Sequence, residues 1–180
     1  NSGLVYKKAY GHKSIKPEQS SMQYETIFDA ASLTKVIATA PSISLLVEQG
    51  KLALNDKVDQ WVPGFKKNGK GAITIRHLLT HTSGLRPGLS LRQEWFGVEA
   101  AVEMAKAERI NFQPNTRFVY SDINFILLGE IVRLASGQGL DKFASENIFE
   151  PLRMKDTGFK PSSEKLGNIG INYQNGTGKL

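Results

Sequence analysis

The sequence predicts a partial α+β chain in which the helical layer is largely present and the sheet only partly so. About six segments carry apolar residues at helical spacing, against a single clear strand signal. The helical segments end in Gly or Pro, the residues that stop helices. The 180 residues, 40% hydrophobic and 22% charged, are enough for one buried core. A helical layer must bury its apolar face on a second layer, and most of that layer is missing. Residues 1–180 are therefore expected to form a single partial domain. Within it, 4–31 form a sheet edge and lead-in, 32–159 a long first helix and helical region, and 160–180 a polar tail.

The elements follow in order. Leu4 to Tyr10 is rich in Leu, Val and Tyr before Gly11 and reads as a strand. Ile15 to Met22, with Pro17, reads as loop or ragged edge. From Ser32, Val36, Ile37, Ala40, Ile43 and Val47 share one helical face, and Gly50 ends the run; Pro41 predicts a bend inside it. Asn55-Asp56 is expected to cap a short helix ending before Pro63. Gly64 to Gly71 reads as a surface loop. Thr74 caps a compact helix through His81, and Val98 to Glu108 forms another. Phe112 to Thr116 is a turn by composition. Ile123, Ile126, Leu127, Ile131 and Leu134 define a helix over Asp122–Ala135, and Leu140 to Phe149 a last one, stopped by Pro151.

Composition removes several function classes. With no cysteine there is no disulfide, thiolate metal site or cysteine nucleophile. The net charge of +6 is scattered in small pairs such as Lys7-Lys8 and Lys66-Lys67, unlike the focused basic face of a nucleic-acid reader. No apolar run approaches the roughly 18–20 residues of a membrane span, and no signal-peptide pattern opens the chain.

Chemistry first shows at Ser32-Leu33-Thr34-Lys35. Serine and lysine three apart at a helix start share a face, so the amine can reach the hydroxyl, while free N–H groups of the first turn can receive an oxyanion. The spacing recurs at Ser162-Ser163-Glu164-Lys165, but there no apolar helix follows. Tyr120-Ser121-Asp122 lies between a turn and the second apolar helix, where a loop can present the phenol; the alternative is a packed Tyr with Ser121 or Asp122 as helix N-cap. Lys and Tyr both titrate near pH ~10 when unperturbed, so neither alone is a base at neutral pH. Close together they can share one proton and titrate as a unit. Lys35 and Tyr120 jointly are the expected base.

These segments resemble the class C β-lactamase family and its relatives, the esterases and penicillin-binding proteins. The resemblance rests on Thr26 to Lys35, Leu46 to Leu52, Arg76 to Leu85, Tyr120-Ser121-Asp122 and Pro151 to Phe159, in the family's order. It implies a β-lactamase/DD-peptidase-like fold, a helical domain against an antiparallel sheet. It implies a serine hydrolase that forms an acyl-enzyme on Ser32 with an ester, amide, peptidoglycan-type peptide or β-lactam, esterase or peptidase chemistry being favoured. Lys35 and Tyr120 would handle protons, Asp122 would contact substrate, and no cofactor is implied. Members are often exported or periplasmic. His77 and His81 stand i, i+4, but no H-E-x-x-H pattern supports zinc, and the resemblance makes their segment structural.

The family's third motif, Lys-Thr-Gly or a His-x-Gly variant, is not found; Gly176-Thr177-Gly178 lacks the basic residue. The chain is therefore expected to be part of a larger hydrolase, inactive alone if the second oxyanion donor lies elsewhere. The alternative function is a non-catalytic module that binds peptidoglycan or β-lactams on the same fold.

Overall fold

The computed structural model describes residue 3, residues 6–92 and residues 94–171. Its contacts divide the chain into two compact units: Asn1–Ala31 with Asp156–Leu180, and Ser32–Lys155.

The first unit carries the sheet. Strands β1 (His12–Ser14) and β2 (Ser20–Ser21) pair antiparallel, His12 opposite Ser21 and Ser14 opposite Ser20, with an irregularity between. Ser14 Oγ closes the connection by donating to the carbonyls of Lys16 and Glu18. Ile27 forms an isolated parallel bridge with Ile169, and the N–H of Ile171 donates to the Lys13 carbonyl. The strand expected over Leu4–Tyr10 is corrected: Tyr6–Tyr10 is irregular, and Leu4 and Val5 lie outside the described residues. Pairing falls instead on His12–Ser14 and on Ser20–Ser21, the latter inside the stretch that reads as loop, because a strand is fixed by the edge it meets as well as by its own composition.

The first long helix opens with a tight turn, Ala31–Leu33, and in the second unit widens over Lys35–Thr39 and continues as α1, Ala40–Glu48. Pro41 explains the widening. It has no N–H to give to the turn before it, and that turn is closed instead by the Ala40 N–H bonding the Lys35 carbonyl five residues back. The bend expected at Pro41 is thus a local widening of the helix.

Then follow α2 (Val58–Trp61), α3 (Ile75–Leu79), α4 (Gly97–Ala107), α5 (Asp122–Ser136) and α6 (Leu140–Ala144), the last extended by a wide turn, Ser145–Phe149. The central element is α5. Its Ile123, Leu127, Leu128 and Ile131 are fully buried together with Ile43, Leu46, Phe65, Ile75 and Leu78, each such side chain contributing about 1.5–3 kcal/mol of apolar burial. Gly137 ends α5 in the left-handed conformation.

Two local readings are corrected. Asn55-Asp56 does not cap α2: Lys57 holds that position, its N–H donating to Gln60 Oε1, while Asp56 Oδ2 accepts from Ala53 N–H and Trp61 Nε1–H. The Gly64–Gly71 stretch is not all surface. Lys70 is 1% exposed, and its ammonium donates to the carbonyls of Lys106 and Glu108 at the end of α4. Helix C-termini leave carbonyls without partners, which makes a buried cation tolerable there; burial still lowers the Lys70 pKa.

Candidate active site

The four residues singled out in the sequence converge within the second unit. Ser32 and Lys35 come from the opening turns of the first helix, Tyr120 from the loop before α5, and Asp122 from the first residue of α5. The Lys35 ammonium donates to Ser32 Oγ at 3.3 Å and pairs with Asp122 Oδ1 at 2.7 Å. It also stands over the Tyr120 ring, 5.0 Å from its centroid, and 5.7 Å from that of Phe125. Tyr120 is 45% exposed, so its phenol is open to a ligand. Ala31, directly before Ser32, has a φ of 42°, sparsely populated for a residue with a Cβ; its N–H is held by Asp29 Oδ1.

Electrostatics separate the two basic groups. Burial pulls Lys35 down, but its hydrogen bonds to Asp122 and then Tyr120 outweigh this and raise its pKa. Tyr120 moves the other way, chiefly through the hydrogen bond from Lys35 and then that with Ser32. An ammonium beside a phenol favours phenolate, so the arrangement suits a lysine that keeps its proton and a tyrosine that gives its proton up.

Neither Ser121 nor Asp122 serves as a side-chain cap of α5. Ser121 Oγ–H donates to the Arg86 carbonyl at 2.6 Å, and Asp122 N–H to the Pro87 carbonyl at 2.7 Å. The loop before α5 is laced along the segment after α3. Val119 N–H donates to the His81 carbonyl, Asn115 N–H to Thr82 and Asn111 N–H to Gly84. Gly84 is required here: its φ is +80°, and a Cβ would meet the Phe112 carbonyl oxygen at 1.9 Å.

The two histidines have separate tasks. Thr74 Oγ1 accepts the N–H of His77 while His77 Nδ1 accepts the N–H of Thr74, a reciprocal cap on α3. His81 lies against Tyr120, ring centroids 4.5 Å apart, and its Nδ1 accepts the N–H of Ser121 at 3.1 Å. Ser83 and Asn124, both buried, join the site without having been singled out in the sequence. Ser83 Oγ accepts Leu85 N–H and donates to Asn124 Oδ1, and Asn124 Nδ2 faces His81 Nδ1 at 3.4 Å. Asn124, a polar residue amid the apolar pattern of α5, was the signal that could have revealed this network.

The second S-x-x-K copy has a different setting. Lys165 pairs with Asp156 at 2.9 Å in the first unit, and Ser162 is exposed. A cavity of about 660 Å³ in that unit is lined by Lys13, Ser14, Asp29 and Ile169 among others and contains none of the four converging residues. Gly176-Thr177-Gly178 lies outside the described residues. Among the described residues, no helix is long and apolar enough to cross a membrane.

A helical unit that brings serine and lysine together in an S-x-x-K turn, with a tyrosine beside them, resembles the β-lactamase and penicillin-binding-protein class. The chain belongs to the beta-lactamase family, whose model matches residues 1–175. It is 34% identical to an N-acetylmuramyl-L-alanine amidase of Bacillus subtilis (strain 168) over 91% of this chain and 42% of that protein. It is 36% identical to a penicillin-binding protein of the same organism over 86% of this chain and 35% of that one. Among solved structures it resembles the octameric penicillin-binding protein homologue from Pyrococcus abyssi, with a TM-score of 0.79 and 29% identity over 96% of this chain and 42% of that one. The chain thus spans less than half the length of the curated relatives it matches.

Proposed function

We propose that the protein is a serine hydrolase in which Ser32 forms an acyl-enzyme with a small ester, amide, peptidoglycan-type peptide or β-lactam. The observation that carries this reading is the Lys35 ammonium, 3.3 Å from Ser32 Oγ while paired with Asp122 at 2.7 Å and set over the Tyr120 ring. Tyr120, as phenolate, takes the Ser32 proton while Oγ attacks the substrate carbonyl carbon. The carbonyl oxygen becomes an oxyanion, for which the Ser32 N–H at the helix start is one donor. The phenol then returns its proton to the departing alcohol or amine as the carbonyl re-forms. Water, deprotonated in the same way, releases the acyl group and regenerates Ser32.

In this mechanism Lys35 stays an ammonium, and its charge holds the phenolate beside the serine. Asp122 anchors that ammonium and, at 60% side-chain exposure, offers its free carboxylate edge to substrate. The test is intact mass after mixing the full-length protein with a p-nitrophenyl ester or a penicillin, alongside Ser32→Ala. One acyl adduct on the wild type and none on the variant is expected. Equal labelling of both would remove Ser32 from the role, and an adduct that never turns over would point to a binding module.

A further inference from the structure

The loop that carries Tyr120 is held on both sides by one residue. Val119 N–H donates to the His81 carbonyl at 2.9 Å, and Ser121 N–H donates to His81 Nδ1 at 3.1 Å. Between these two bonds the Tyr120 ring lies on the imidazole at 4.5 Å, tilted by 34°. Phe125 from α5 approaches the same imidazole at 5.2 Å, and Phe118 meets it edge-on at 5.8 Å. His81 is 9% exposed and has a φ of 56°, a conformation in which His, Asn and Asp are enriched.

The surrounding bonds fix where the imidazole proton sits. A backbone N–H can only donate, so Ser121 N–H makes His81 Nδ1 an acceptor. Nearby, Leu85 N–H donates to Ser83 Oγ, and the Ser83 hydroxyl donates to Asn124 Oδ1. Asn124 Nδ2 lies 3.4 Å from the same Nδ1. Nδ1 therefore faces two donors, Ser121 N–H and the Asn124 amide, and must carry the lone pair; the proton is on Nε2.

We infer that His81 is the positioning residue for Tyr120, acting as the neutral Nε2–H tautomer, and that its protonation releases the tyrosine loop. This rests on the reading above in which Tyr120 moves the Ser32 proton. A proton on Nδ1 would set N–H against N–H at Ser121 and Asn124. It would also add a second cation beside Lys35. The charged and titratable groups facing His81 are Lys35 from the first helix, Tyr120 from the loop before α5 and Asp122 from the start of α5; Asp122, and Tyr120 when it is a phenolate, favour the imidazolium, and Lys35 opposes it. Burial first, and Lys35 second, hold the His81 pKa below its ordinary value, which keeps the neutral form in place at neutral pH.

The test uses the full-length protein, with p-nitrophenyl acetate as substrate and nitrogen-15 NMR of the histidine rings. The wild type is expected to show the Nε2-protonated tautomer for His81 at neutral pH. His81→Phe, which keeps a ring without an acceptor, should lower kcat/KM about 100-fold, the scale of an ångström-level misplacement, mostly in kcat. His81→Asn tolerates the left-handed φ and offers Oδ1 to Ser121 N–H. It should recover most of that loss and abolish the acid limb that His81 contributes to the pH profile, which a merely structural residue would leave unmoved. An Nδ1-protonated His81, or an acid limb unchanged in His81→Asn, overturns the inference. Should His81→Phe not fold, those two results still decide. Absence of any acyl adduct on wild-type Ser32 would instead sink the hydrolase reading, and the tautomer result would stand apart from it.

Discussion

Lys35 and Asp122 are held 2.7 Å apart, ammonium against carboxylate, with the lysine side chain 13% exposed and the aspartate 60%. The pair joins the first helix to α5, and it does so beside the serine. Because the carboxylate is open to water, its effect on stability is small, under about 1 kcal/mol. Its effect on protonation is the larger one: the carboxylate raises Lys35 through a hydrogen bond and Tyr120 through its charge.

Asp122→Asn is therefore expected to move both titrations downward. Tyr120 loses a neighbouring negative charge and Lys35 loses its main raising partner. The pH profile of Ser32 acylation should shift to lower pH on its acid and alkaline limbs together, with the denaturation midpoint nearly unchanged. A profile that keeps its position would show that the carboxylate is not felt by the reacting groups.

Ser83→Ala tests the buried network. It removes the proton given to Asn124 Oδ1 and the acceptor of Leu85 N–H, stranding polar groups away from water. A loss of about 1–3 kcal/mol is expected, read from urea unfolding. Asn124→Leu in the same background should then cost less than it does alone, because the stranded amide is gone.

Gly84→Ala should be among the most damaging single substitutions on the chain. A Cβ 1.9 Å from the Phe112 carbonyl oxygen cannot be relieved by a side-chain rotation, since the obstacle is backbone. The left-handed φ adds about 1–3 kcal/mol of strain. Poor yield of folded protein, or a fall in thermal midpoint well beyond that of Gly158→Ala, where a Cβ meets nothing within 4 Å, would bear this out.

Stability should also fall on mild acidification. His77 and His81 both have pKa values lowered by burial, with Arg76 and Lys35 respectively adding to it. The unfolded chain binds protons first as pH drops below about 6.5. The stabilisation is complete above that pH and is lost as pH falls through the folded values. Urea midpoints measured across this window should decline, and the decline should flatten in His81→Asn. An unaltered slope in that variant would assign the effect to His77 alone.

The residues read as chemically active were legible because their relationships are local. Ser32 and Lys35 meet through helix spacing, and Asp122 opens a helix whose apolar period is plain. The convergence of Tyr120 with Lys35 needed the resemblance, since nothing in spacing brings residues this far apart together. The i, i+4 relation of His77 and His81 reads as structural and not as a zinc site, but the separate tasks of the two rings were not legible: the fold turns one to cap α3 and the other to Tyr120. Lys70 was opaque for a similar reason. A lysine in a Lys/Gly-rich stretch reads as solvated, and only the α4 carbonyls arriving from elsewhere make it a buried clamp. The sheet was the least legible part, because β1 and β2 are short polar segments that pair with each other without the apolar alternation that marks a strand.

The widened turn at Lys35–Thr39 sets a phase. Every residue in a regular helix turns the chain by about 100° around the axis, and the wide turn absorbs a residue that an α-helical ladder would count. Ser32 and Lys35 at its start and the apolar stripe of α1 downstream are thus registered through one surplus position. Deleting a single residue there would leave the α1 stripe intact while rotating Ser32 and Lys35 away from Tyr120. A helix of near-normal stability would then aim its serine at nothing.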